Sequence, residues 1–426
     1  MLFLLLSIRS GDYFMKRSQD LKANRAKYDF FDGLVLAAAL ILSAIGVLMV
    51  FSITGTSIFN NRSGYRLSYM LHSATGVVLG VVAMGIMAVI PNRLFRSKTI
   101  GFLIFLGTMG FLLMTLIVGH GTDASPEVQR WITIPGVITF QAVDLARIGF
   151  VLAVPWFIQR LINKRKFYSN KLWSHHIWPL VYVVLCTFLV FQQPDLGSSI
   201  AIFVTGAFIY FSSGIKIKQI IFLGIMGLLS LIALYFIFDY LGMWSYQESR
   251  LEVWHDPFNH DDGRQIVMGF VSIALGGWRG VGIGESTQTL GFAIEPHTDL
   301  IVTILSEELG VIYVFFIMIL YLLITFKCFS TALKARDVFS ALVCIGVGSF
   351  FLVQPFINLG GVVGFIPLSG VTLPLISYGM TSKVSTFILI GIYFNMRRYI
   401  LIDVEKNREV KEEKEIASNI LQFSPR

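Results

Sequence analysis

Ten apolar runs divide this chain, and a polypeptide with that pattern folds in lipid. They are Leu34 to Ile53, Tyr69 to Ile90, Thr99 to Val118, Val137 to Ile158, Ile177 to Phe191, Ser198 to Phe211, Ile220 to Tyr240, Leu300 to Phe326, Val338 to Ile357 and Ile376 to Phe394. A bilayer core takes about 20 apolar residues per helix, and shorter helices serve where they tilt or end in protein-lined cavities. The fifth and sixth runs are the short ones. Hydrophobic residues make up 55% of the sequence and charged residues 14%, against about 25% charged in a soluble protein. Too few polar residues remain to coat soluble domains, and a chain with 37 Phe is not a self-repelling disordered polymer. The expected fold class is an all-α polytopic membrane protein with ten transmembrane helices.

The basic residues set its orientation. Lys and Arg number 34 against 26 Asp and Glu, a net charge of +8. They fall in short clusters between the apolar runs, not on one aromatic-interleaved patch of the kind that binds nucleic acid. With ten spans, one side receives Arg9 to Lys27, Arg93 to Lys98, Arg160 to Lys171, Lys216 and Lys218, Lys327 to Arg336, and the tail from Arg397. Both termini are therefore expected in the cytoplasm. Fusing the fifth and sixth runs would give nine spans and place Lys327, Lys334, Arg336 and the Arg397 to Arg408 cluster outside. The expected organisation is a cytoplasmic segment at 1–32, a membrane domain at 33–398 and a charged cytoplasmic tail at 399–426. Within the membrane domain, 241–299 forms a large extracellular loop between helices 7 and 8. Lys406 to Glu415 alternates acids and bases and reads as a short solvated helix. Met1 to Leu6 is too short to span, and Met15 is an alternative start. Cys186, Cys328 and Cys344 have neither a metal-finger nor a disulfide-framework spacing and read as packing residues. No internal repeat with matching interrupted helices is present, which argues against a transporter built from inverted halves.

The outer loop from Leu241 to Asp299 carries Trp244, Tyr246, Trp254, Phe258, Phe270 and Trp278, a poor composition for a free linker. Met268 to Leu275 is apolar enough to lie on or dip into the membrane, and Gly276, Gly277, Gly280, Gly282 and Gly284 call for tight turns. Three other outer turns are polar: Gln129-Arg130-Trp131, Gln192 to Gly197, and Gly361 to Tyr378. Asp195 suits the cap of the sixth helix, and Asp299 or Thr298 that of the eighth. Glu307 and Glu308 sit two turns into an apolar run, where ionisable residues face polar surroundings, and Ser306 and Glu307 share a helical face with Asp299. Gln141, Asp144 and Arg147 recur at intervals of three and share a face as well. The spacing leaves two readings open, a structural intramembrane ion pair and a cation near a substrate phosphate. His255, His260 and His297 lie near Asp256, Asp261, Asp262 and Asp299 in a spacing that matches no zinc motif. Asn61-Arg62-Ser63 fits a glycosylation acceptor, a tripeptide that arises often by chance. Nucleotide sugars belong to the cytoplasm, so synthesis on the outer face needs a substrate that arrives activated, such as a lipid-linked diphosphate.

The outer motifs occur in a recognisable order: Arg130-Trp131, Gln193-Pro194-Asp195-Leu196-Gly197, Glu295-Pro296-His297-Thr298-Asp299, Glu307-Glu308-Leu309-Gly310, and Gly370 through Ser377-Tyr378-Gly379. From about Gly33 to Arg398 the chain resembles the FtsW/RodA proteins of the SEDS family (shape, elongation, division and sporulation). The resemblance implies a peptidoglycan glycosyltransferase that polymerises lipid II, an undecaprenyl-diphosphate-linked disaccharide pentapeptide, on the outer face of the bacterial cytoplasmic membrane. It also implies a class B penicillin-binding protein, a transpeptidase, as partner, alongside other division or elongation proteins. Asp299 takes the catalytic position. Arg130, Trp131, Gln141, Asp144, Arg147, Gln193, Asp195, Glu295, His297, Thr298, Glu307 and Ser377 are the expected substrate-binding residues. The diphosphate needs charge stabilisation from a divalent cation, Mg2+ or Mn2+, or from Arg130 and Arg147. No metal ligands are assigned and no organic cofactor is expected.

Three departures from the family pattern stand out. Phe140-Gln141-Ala142-Val143-Asp144-Leu145-Ala146-Arg147 replaces the usual Phe-Gln-Pro-Ser-Glu-Leu-Ala-Lys, keeping the charge signs while excluding any role for a neutral Lys. Ile294 stands for the usual Pro, and Gly379-Met380-Thr381-Ser382 for Gly-Gly-Ser-Ser. Thr372-Leu373-Pro374-Leu375 resembles the division-type, FtsW-like pattern more than the elongation-type one. A lipid II flippase and a non-enzymatic scaffold for the transpeptidase are the competing readings. The position of Asp299 at the outer interface, not at mid-membrane, favours chemistry over translocation.

Overall fold

The computed structural model describes residues 32–56, 63–121, 130–134, 138–164, 177–214, 245–260, 263–287 and 300–422. The seventh apolar run, Ile220 to Tyr240, lies outside them. The described elements are α1 (Gly33–Thr56), α2 (Ser63–Val89), α3 (Asn92–Phe95), α4 (Lys98–Val118), β1 (Trp131–Ile134), β2 (Ile138–Gln141), α5 (Ala142–Asn163), α6 (Ile177–Phe191), α7 (Leu196–Phe211), α8 (Ser245–His255), α9 (Arg264–Gly276), α10 (Ile301–Glu308), α11 (Val311–Lys334), α12 (Val338–Val362) and α13 (Met380–Gln422). Among the described residues six helices, α1, α2, α4, α5, α11 and α12, are long and apolar enough to cross a membrane. The chain is therefore a mostly helical, polytopic membrane protein. α6 and α7, with 15 and 16 residues, are apolar but shorter.

Several expectations need correction. The fold is not purely helical, because Trp131–Ile134 and Ile138–Gln141 pair as an antiparallel hairpin. Both strands alternate β-branched or aromatic residues with period two, burying Ile132 and Phe140 while Thr133 and Thr139 meet on the exposed face. The fourth span therefore starts at Ala142, five residues later than the apolar run, and Gln141 is its extended N-cap, not a member of the helical face. The eighth run is two helices, α10 and α11, broken at Leu309-Gly310 where Gly310 has φ 85°. Glu307 and Glu308 thus close a short helix and do not lie inside a long one. The N-cap of α10 is Leu300, with Thr298 and Asp299 outside the described residues. The tenth span starts at Met380, and its helix runs on for 43 residues into the charged tail, so Lys406 to Glu415 is no separate short helix.

α2 and α13 lie side by side and run the same way. Tyr69 packs on Tyr378 with ring centroids 5.1 Å apart, and Asn395 Nδ2 donates to the Met87, Ala88 and Ile90 carbonyls. Gly80 faces Phe387 and Gly391 faces Met84, small residues that let membrane helices approach closely. At one end of the bundle Asp32 lies 3.7 Å from Lys327 and 3.5 Å from Arg397, and Arg96 pairs with Asp337 at 2.6 Å beneath Tyr399. Those three bases were assigned to a common side by the charge pattern. The three cysteines are buried and unbridged.

At the other end, α8 is tied to the segment after α12, with Trp254 Nε1 donating to Gly364 O and Arg250 to Leu368 O, each at 2.8 Å. The glycine-rich turn after α9 interlocks with the break between α10 and α11. Val281 N donates to Glu307 O at 2.9 Å, Gly282 N to Glu308 O at 3.0 Å, and Val311 N to Gly277 O at 3.0 Å. Gly280 adopts φ 77°, and a Cβ there would sit 2.2 Å from Glu308 O. Gly280→Ala is expected to lower stability by at least about 2 kcal/mol, from left-handed strain plus a clash with fixed backbone. Gly85→Ala, in α2 with open space around its Cβ, is the control, expected neutral or slightly stabilising. Thermal unfolding of the purified protein in detergent measures both.

Candidate active site

The hairpin and the turn before α7 build a buried polar cluster. The strand register sets Trp131 opposite Gln141, which brings Arg130 and Gln141, eleven positions apart in the chain, to the same edge. Both reach Asp195. Arg130 Nε lies 3.6 Å from Asp195 Oδ2, and Gln141 Nε2 donates to the same oxygen at 3.4 Å. The other Asp195 oxygen accepts from Ser198 N at 3.0 Å, so this residue is also the N-cap of α7, as its turn sequence suggests. Arg130 also donates to Pro194 O at 2.7 Å, and its buried Nε has no hydrogen-bond partner among the described residues.

One turn into α5, Arg147 Nη1 donates to Asp144 Oδ1 at 3.2 Å, with both side chains nearly fully buried. The guanidinium also stacks on Phe350, 4.8 Å from the ring centre. Asp195 acts electrostatically on both members of this pair. The cluster thus holds two arginines and two aspartates, with Gln141 on Asp195, a neutral set in which each cation has a carboxylate partner. Gln193 stands beside it, fixed by its bond to Leu112 O at 3.1 Å.

Other expected site residues lie elsewhere. Trp131 is half-buried in β1, where its backbone pairs with His120. Ser377 is buried and its Oγ accepts from Leu373 N at 2.7 Å, bracing a turn in which Leu375 has φ 68°. Glu307 is enclosed by Ser272, Ser286 and Thr287. Asp299, Glu295, His297 and Thr298 fall outside the described residues. Among the described residues no three His, Cys, Asp or Glu side chains come together in a way that could hold a metal. The carboxylates of the cluster are engaged by arginines, which does not fit a resident cation there.

Two polar contacts were not anticipated from the sequence. Ser52 Oγ donates to both oxygens of Glu308 at 2.8 Å. Lys383, fully buried in α13, donates to Ser73 on α2. A lysine inside an apolar run was the available signal for the second; nothing local marks Ser52.

A helical membrane protein that encloses paired arginines and carboxylates at one end of its bundle belongs to the class whose polar chemistry is held among its helices. The family model FTSW_RODA_SPOVE, described as "Cell cycle protein", matches residues 32–400, and the chain belongs to this family. It is 30% identical over 380 residues to the probable peptidoglycan glycosyltransferase FtsW of Geobacter metallireducens, covering 88% of this chain and 96% of the relative. With the protein of the same name from Bacillus subtilis it shares 29% identity over 388 residues, covering 89% and 93%. Among solved structures, a chain described under "Structural coordination of polymerization and crosslinking by a peptidoglycan synthase complex" is similar with TM-score 0.65 and 22% identity, covering 85% of this chain and 97% of that one. The rod shape determining protein RodA of Thermus thermophilus is similar with TM-score 0.61 and 19% identity, covering 86% and 97%. At these identities the structural likeness establishes a shared fold.

Proposed function

We propose that this chain is a peptidoglycan glycosyltransferase that polymerises lipid II at the outer face of the bacterial cytoplasmic membrane, in septal wall synthesis. The observation that carries this reading is the buried Arg130–Asp195–Gln141 and Asp144–Arg147 cluster in a chain that matches the FtsW/RodA family through residues 32–400. The proposed topology has ten spans, both termini in the cytoplasm and 241–299 outside. The relatives named FtsW, together with Thr372-Leu373-Pro374-Leu375, favour the division subtype.

In this reading Asp299 accepts the proton of the acceptor GlcNAc 4-hydroxyl as that oxygen attacks C1 of the donor MurNAc. The C1–oxygen bond to the undecaprenyl diphosphate breaks, and the anomeric configuration inverts. Charge accumulates on the leaving diphosphate, where a guanidinium fork matches the phosphate oxygens. Arg130 has capacity for this, since its ion pair is the longer of the two and its Nε has no hydrogen bond among the described residues. Arg147 is held by Asp144 and Phe350 deeper in the bundle, where a fixed charge gains from low dielectric. Glu295, His297 and Thr298 would contact the sugars or the diphosphate beside Asp299. A divalent cation, Mg2+ or Mn2+, would arrive with the diphosphate and share its charge. The proposed partner is a class B penicillin-binding protein, in keeping with the synthase complex whose chain shares this fold.

The test is glycan-chain formation from labelled lipid II in liposomes, with and without a candidate class B partner. Polymer of several disaccharides is expected. Lipid II crossing the bilayer without polymer under both conditions would replace this reading with a transporter.

A further inference from the structure

Glu307 is completely buried at the end of α10, and no cation is paired with it among the described residues. An isolated buried carboxylate is costly unless hydrogen bonds replace its hydration. Here four donors do so. Oε1 accepts from Thr287 N at 2.8 Å and Thr287 Oγ1 at 2.7 Å; Oε2 accepts from Ser286 Oγ at 2.7 Å and Ser272 Oγ at 3.3 Å. An ionised carboxylate is the side chain that only accepts, with two oxygens to share among four converging donors. Its neighbour adds to the arrangement: the Glu308 carboxylate takes Ser52 Oγ from α1, and its backbone carbonyl accepts from Gly282 N at 3.0 Å. Together the two acids fasten the turn at 277–287 to α10.

The consequence lies in the order of the chain. Thr287 is held by Glu307, and the chain returns at Leu300 to begin the same eight-residue helix that carries Glu307. Thr287 and Leu300, the described residues that flank positions 288–299, are thereby both held to one short element. That segment ends in Asp299. We infer that Glu307 is a positioning residue: its carboxylate ties Ser286 and Thr287 to α10 and so fixes the entry to the segment that delivers Asp299, without itself touching substrate. This inference rests on the reading of Asp299 as the base. It also gives Glu307 a role other than the substrate contact suggested by its motif, because its acceptor positions are filled from within the protein.

The experiment compares Glu307→Ala, Glu307→Gln and Asp299→Asn in nanodiscs, with lipid II turnover, lipid II affinity and limited proteolysis measured on each folded, monodisperse protein. Glu307→Ala is expected to lower kcat about 10²-fold, the scale of a misplacement of about 1 Å, with lipid II affinity changed less than about threefold. Cleavage near Gly291-Phe292 should rise about tenfold as the charge-assisted bonds are lost. Glu307→Gln should recover most of kcat. Its amide oxygen can keep both Thr287 bonds, and the serine hydroxyls can turn to accept from its NH2. Affinity falling in step with kcat in Glu307→Ala would overturn the inference in favour of direct substrate contact. Unchanged kcat with unchanged cleavage would overturn it in favour of a purely local packing role. Polymerisation surviving in Asp299→Asn would instead refute the base assignment, while the cleavage difference would still report the tether.

Discussion

Asp299→Asn is expected to reduce glycan polymerisation by about 10² to 10⁴-fold, the usual contribution of a positioned general base, with lipid II affinity nearly unchanged. The asparagine is almost isosteric but cannot accept the proton of the attacking hydroxyl. Turnover should therefore fall in kcat, the signature of an interaction made in the transition state alone. The comparison requires wild-type and variant protein with the same partner and the same lipid, assayed by single-turnover polymerisation. Turnover within about threefold of wild type would refute Asp299 as the base.

The second large effect is expected at the Asp144–Arg147 pair. Arg147→Met leaves Asp144 buried without its cation, at a cost of about 3–5 kcal/mol, because the remaining charge has lost its one close counterion among the described residues while staying out of water. Replacing both, as Asp144→Leu with Arg147→Met, removes the uncompensated charge and should restore most of the unfolding temperature. It should not restore function. If Arg147 stabilises the leaving diphosphate, both variants lose about 10² to 10³-fold in polymerisation, the usual loss for one electrostatic stabiliser. Thermal unfolding and turnover on the same samples separate the two roles. Recovery of activity in the doubly substituted protein would show the pair to be only structural.

The gross architecture was legible because membrane spanning is a property of composition over about 20 residues, which Gly33–Thr54 or Val338–Val362 satisfies without reference to any neighbour. Asp195 was recognisable as a cap because the Pro-Asp-Leu-Gly turn is local, and the Asp144–Arg147 pair because three residues along a helix are adjacent. The hairpin was missed because residues 137–141 are as apolar as the helix they precede, and the alternation over four residues per strand is too short to override a long apolar run. The break at Gly310 carried a signal, a glycine directly after Glu-Glu-Leu, yet the run continues apolar on both sides and hydropathy sees one span.

The sequence by itself determined the solvent of this protein, the approximate extent of most of its spans and the chemical character of its outer turns, since each depends on side chains close together along the chain. Only the tertiary structure decided which polar groups meet. Ser52 reaches Glu308 from α1, Thr287 closes on Glu307, and Arg130 shares Asp195 with Gln141. In the membrane interior a buried charge must find partners wherever the packing of the helices brings them. Those partners are set by how helices distant in the chain pack together, and no window along the sequence contains them.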